Sequence, residues 1–145
     1  MNSTPLMSLV VCWAVAGCGT LPGAGYQVQG DSINAPLAAT PGDPTRGRAW
    51  IAGRDGNCLL CHSIPEPGER FMGNVAPPLA GVAARLTPGQ IRLRVVDPTR
   101  VRSDVVMPSY YRVELLDRVA QPYAGKPILT AQQVEDVVAY LRTLR

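Results

Sequence analysis

The longest stretch of helical periodicity lies near the C-terminal end of the chain. Val134, Val137, Val138, Leu141 and Leu144 recur at three- and four-residue spacing with polar residues between them, the pattern of a helix with one apolar face. Thr130-Ala131-Gln132-Gln133 precedes them as a capping box, with Thr at the N-cap and Gln three residues on. A second box, Thr87-Pro88-Gly89-Gln90, opens a helix that carries Ile91 and Val95 on one face. Asp97-Pro98 ends it, because the residue before a proline avoids helical backbone. A third helix starts at Asp43-Pro44, an N-cap followed by a proline at the first helical position. It runs to about Arg54 with Trp50 and Ile51 as apolar anchors. Gly47 is costly inside it and predicts close packing against another helix. Tyr110 to Val119 reads as a further short helix. No two-residue alternation rivals these segments, so the pattern predicts an all-α domain over residues 43–145.

The remaining residues read differently. Residues 6–18 form an apolar run too short for a bilayer, which needs ~20 residues. It fits the core of an export signal over residues 1–17. Val15-Ala16-Gly17-Cys18 is similar to a bacterial lipoprotein cleavage box, which would leave Cys18 lipidated and the protein anchored by its lipid. No Lys or Arg precedes the run, which departs from the usual signal, and the alternative is cleavage near Ala24 or Gly25 with Cys18 discarded. Residues 18–42, rich in Gly, Pro, Ala, Ser and Thr, read as a flexible linker. The length of 145 residues sets one domain, and the net charge of +3 is too weak to point to nucleic acid. Such a domain is marginal on apolar burial alone, so a covalent prosthetic group would complete its core.

Cys58-Leu59-Leu60-Cys61-His62 supplies the chemistry for one. C-x-x-C-H is the attachment signature of a c-type haem. Residues three apart share a helical face, so both thiols meet one porphyrin edge as thioethers, and His62 follows as proximal iron ligand. A thioredoxin-type dithiol would want a βαβ pattern, which is missing. A structural zinc site wants four ligands, and His62 is the only His, while Cys12 and Cys18 lie in the targeting segment. A disulfide across two intervening residues is a weak staple. Haem c is attached outside the bacterial inner membrane, which agrees with export to the periplasm. With no second His, the distal ligand is a Met. Met1 and Met7 lie in the signal. Met72 sits close behind His62, whereas Met107 follows a helix and lies in a Pro-flanked loop able to pass around the haem edge, so Met107 is favoured. Pro77 is the candidate acceptor for the other ring N–H of His62, and Leu79 for packing on the haem. Arg92, Arg94, Arg100 and Arg102 either dock an acidic partner or a haem propionate, or form a solvated face.

The order of helix, C-x-x-C-H, Pro-Leu loop, helix, Met loop and terminal helix resembles class I cytochrome c, whose first and last helices cross. Gly47 with Trp50 or Ile51, and Tyr140 with Leu141, match its contact positions. Ala76-Pro77-Pro78-Leu79 departs from the family's Gly-Pro-x-Leu only at its first residue. Gly56 to Pro65, Gly73 to Leu79, Val95 to Pro98, Val106 to Tyr111, Gly125 to Thr130 and Val134 to Leu141 resemble the SoxX family, monohaem subunits of SoxAX cytochromes. The resemblance implies one covalent haem c with His62 and Met107 as axial ligands. It implies a SoxA partner that carries the catalytic haem, where thiosulfate is joined to a cysteine of the SoxYZ carrier. The present chain would then pass electrons to a soluble cytochrome c and have no catalytic residue of its own.

Overall fold

The structure is a computed structural model, and it describes residues 25–145. Helix α1 spans Pro44–Ala52, α2 Val82–Arg85, α3 Pro88–Val96 and α4 Ala131–Leu141, with short 3-10 turns at Cys58–Leu60, Pro98–Arg100 and Gln121–Tyr123. Among the described residues the only extended pairing is an isolated bridge between Gln29 and Ser32. The three helix starts read from capping signals are built as read. The Asp43 side chain accepts from Arg46 N, and both capping boxes, Thr87 with Gln90 and Thr130 with Gln133, close reciprocally.

The fold is organised by the crossing of α1 and α4. Ile51, Val134, Val137, Val138 and Leu141 are buried there. Gly47 is required at the crossing: a Cβ on it would fall 1.9 Å from Asp136 O and 2.9 Å from Tyr140 Cβ. Helix propensity is thus given up so that two backbones can touch.

One carboxylate pins the crossing. Asp136, buried at the interface, accepts from Asp43 N, Arg46 Nε and Arg46 Nη2, each at 2.8 Å, and from Gln132 Nε2 at 3.1 Å. Burial alone would raise its pKa, but the Arg46 guanidinium and the donated N–H groups outweigh it and hold the carboxyl at about 2. A folded-state pKa below the unfolded value of about 3.9 stabilises the fold above that value and is lost as pH falls through about 2. Thermal midpoints should therefore drop steeply between about pH 4 and pH 2. Asp136→Asn should flatten this acid limb, and an acid limb as steep as wild type in that variant would remove Asp136 from the explanation.

Two regions differ from the sequence expectation. Residues 25–42, read as part of a flexible linker, lie against the domain. Ile33 is fully buried, Ile33 N donates to Gly89 O at 3.0 Å, Leu37 N donates to Glu135 Oε1 at 2.9 Å, and Gln90 Nε2 donates to Asp31 Oδ2 at 2.8 Å. Ile33, with Tyr26, Val28 and Leu37 packed against the same core, suffices in a Gly- and Pro-rich stretch because α3 and α4 also offer the stretch polar partners. Residues 110–119 form no helix. Tyr110 N donates to Val95 O and Arg112 N to Val96 O, which commits this backbone to the end of α3. Leu115 and Arg118 then adopt positive φ. The signal segment and Cys18 lie outside the described residues.

Candidate functional site

The C-x-x-C-H segment leaves α1 through Asn57, whose φ of 45° is the left-handed region that Asn tolerates better than most residues. Cys58–Leu60 then turns as a 3-10 helix, and His62 N donates to Cys58 O at 2.9 Å. A second segment runs beside it, joined by Gly73 N to Leu59 O at 2.8 Å, Ala76 N to Cys61 O at 3.0 Å and Leu79 N to Ser63 O at 2.9 Å. Gly73 is needed for this approach, since a Cβ there would lie 2.0 Å from Leu60 O.

This alignment brings the Pro77 carbonyl to His62. Nδ1 lies 2.7 Å from Pro77 O. A carbonyl can only accept, so Nδ1 carries the proton and Nε2 is left with its lone pair for a metal. The Pro77 loop is itself held. Arg85 donates from Nη2 to Pro78 O at 3.0 Å and from Nη1 to Ala80 O at 2.7 Å. Leu79 is half-buried against the core.

The two methionines are placed differently. Met72 Sδ accepts from Ile64 N at 3.2 Å, so this thioether serves the loop behind the motif. Met107 is half-buried against the core, and no protein hydrogen bond to its sulfur is found among the described residues. Its loop is anchored three residues on, where the buried Tyr110 donates from its hydroxyl to Gly56 O at 2.7 Å.

The residues present suit a covalent haem. Burial pushes the Cys58 thiol up to about 11, the reverse of the lowered pKa of a thioredoxin-type nucleophile. Among the described residues no group of three His, Cys, Asp or Glu could hold a bare metal ion. Trp50 Nε1, on the helix that leads into the motif, is buried without an acceptor among the described residues, the kind of donor that a polar cofactor substituent satisfies.

Of the four arginines weighed as a docking face, Arg92 is withdrawn into the core while Arg100 and Arg102 stay exposed. Arg92 is buried and bonded to Glu135 through Nε at 2.7 Å and Nη2 at 2.8 Å. Arg94 donates to Gln90 O, and Arg102 pairs with Asp104. Sequence reading treated Arg92 as solvent-facing, yet its place beside Ile91 and Leu93 in a nearly all-buried helix was the available signal. Sequence reading also missed Tyr110 and Arg85 as supports of the site.

An all-helical domain whose first and last helices cross beside a C-x-x-C-H turn, with a carbonyl-held His, has the make-up of a monohaem c-type cytochrome. The cytochrome c family model matches residues 45–145, and the chain belongs to that family. The solved SoxXA of P. pantotrophus is similar at 36% identity, with a TM-score of 0.76, covering 82% of this chain and 93% of that chain. Among curated proteins, none matches the chain. Within the family it is a SoxX-type cytochrome, an electron-transfer subunit with one covalently bound haem c. No helix among the described residues is long and apolar enough to cross a membrane.

Proposed function

We propose that the chain is the electron-relaying subunit of a periplasmic two-subunit complex that oxidises thiosulfate. Cys58 and Cys61 hold the haem through thioethers, His62 is the proximal ligand and Met107 the distal one. The observation that carries this is the 2.7 Å contact from His62 Nδ1 to Pro77 O on the Cys58–Cys61 turn, because it directs the other ring nitrogen to the iron. The haem supplies a one-electron couple. The protein's part is to fix the ligands: Pro77 sets the His62 tautomer, Arg85 holds the Pro77 loop, and Leu79 packs beside it.

Were His62 and Met107 to hold the haem iron from both sides, this subunit would offer no open coordination site for a sulfur substrate. The oxidative joining of thiosulfate to a carrier cysteine on SoxYZ belongs to a haem of the SoxA partner, and a soluble cytochrome c takes the electrons onward. Exposed apolar side chains support a docked subunit over a freely diffusing carrier. Phe71 is 94% exposed, Leu60 68% and Val75 78%, and the backbone of residues 73–76 bonds directly to residues 59–61. Leu60 and Val75 lie on these paired segments, and neighbouring exposed apolar side chains mark interaction surfaces.

At the N-terminus, a lipidated Cys18 and a chain cleaved near Ala24 are separated by the mass of the mature protein. The functional test is to assay the purified holoprotein with thiosulfate and carrier, with and without the SoxA-type subunit. Turnover is expected only with the partner. Substantial turnover by the isolated chain would overturn the relay role, and a native protein that purifies alone and docks with no partner would favour an independent carrier.

A further inference from the structure

We infer that Tyr110 is a positioning residue of the redox site, whose hydroxyl ties the Met107 loop to the haem-attachment turn by donating to Gly56 O. This rests on Met107 being the distal ligand. The hydroxyl is 2.7 Å from that carbonyl, two residues before Cys58, while the Tyr110 backbone follows Met107 by three residues. The backbone of Tyr110 is fixed as well. Tyr110 N donates to Val95 O at 3.1 Å, and Leu129 N donates to Tyr110 O at 2.9 Å. Tyr110 therefore joins three parts of the fold: the end of α3, the approach to α4 and the C-x-x-C-H turn.

The Gly56 carbonyl has one other side-chain neighbour of donor type, Cys58 Sγ at 3.6 Å. A sulfur that has become a thioether has no proton to give. The Tyr110 hydroxyl is then the side-chain donor left to a carbonyl in a buried glycine, and a buried acceptor without a donor is costly. The bond thereby becomes more important in the mature cytochrome than in the bare polypeptide. Its effect falls on the spacing between the thioether-bearing turn and the Met107 sulfur. Loosening it should lengthen or free the axial sulfur, and because Met ligation raises the potential of a His-ligated haem, the potential should fall.

The test compares holoproteins of wild type, Tyr110→Phe, Tyr140→Phe and Met107→Ala. Tyr140→Phe is the structural control, since its hydroxyl donates to Glu66, away from the Met107 loop. The sulfur-to-iron absorption band is followed as pH rises, alongside global unfolding and the reduction potential. For Tyr110→Phe the population with Met107 off the iron should rise about ten-fold, the effect of one lost hydrogen bond, with a lower potential. Tyr140→Phe should lower global stability and leave both readouts in place. In the wild type, the Tyr110 hydroxyl proton should exchange slowly with solvent by NMR. Band and potential unchanged in Tyr110→Phe, or shifted no more than in Tyr140→Phe, would overturn the inference, as would a wild-type hydroxyl exchanging at the solvent rate. Met107→Ala retaining the band would instead overturn the ligand assignment.

Discussion

Glu135→Ala should destabilise the protein by about 3–5 kcal/mol, the cost of breaking a buried ion pair from one side. The side chains of Arg92 and Glu135 are only 6% and 7% exposed. Arg92 also donates from Nη1 to Ile33 O at 2.6 Å, and Glu135 Oε1 also accepts from Leu37 N. Truncating Glu135 leaves a guanidinium in the interior and an amide of the N-terminal arm without its acceptor. The denaturation midpoint should fall with little change in slope, since one cooperative core is lost in both cases. The exposed pair Arg102–Asp104 is the contrast: its side chains are 69% and 73% exposed, and Asp104→Ala should leave the denaturation midpoint nearly unchanged, since solvent screens such pairs. Equal costs at the two pairs would mean that the arm does not cover Arg92 in solution.

Met107→Ala should leave the haem covalently attached, abolish the sulfur-to-iron band and lower the reduction potential by on the order of 0.1 V, within the roughly 0.8 V that axial ligands span. A thioether ligand favours the reduced iron, and its loss opens the sixth position to water or a stronger donor. Met72→Ala should keep the band, because Met72 Sδ is engaged by Ile64 N. That variant should lose stability instead, through an unpaired amide and a gap in the packing. Loss of the band in Met72→Ala with retention in Met107→Ala would reverse the assignment.

The helices were legible because their signals are local. Thr87, Gln90, Thr130 and Gln133 cap their own helices, Pro44 and Pro98 bound others, and the valine stripe of α4 needs no partner to be seen. The proximal half of the site was legible for the same reason, being one continuous motif with Pro77 a short loop away. Arg92–Glu135 was not, because both residues occupy ordinary helical surface positions until residues 33–37 fold over them. Tyr110 was not either. Near Met107 it looks like loop, and the short helix drawn through it failed because its backbone bonds go to α3 and Leu129 rather than to its own next turn. Long-range hydrogen bonds leave no periodicity.

Asp43 and Asp136 meet although 93 residues separate them, and the haem motif lies between. The helix that closes the core thus follows the haem motif in the chain. Without α4, Gly47 has nothing to pack on and the core between the two helices stays open. Joining such distant segments is also slow, since a long loop must be ordered before its contacts repay the cost. The topology therefore makes closure of the core a late, long-range step of folding.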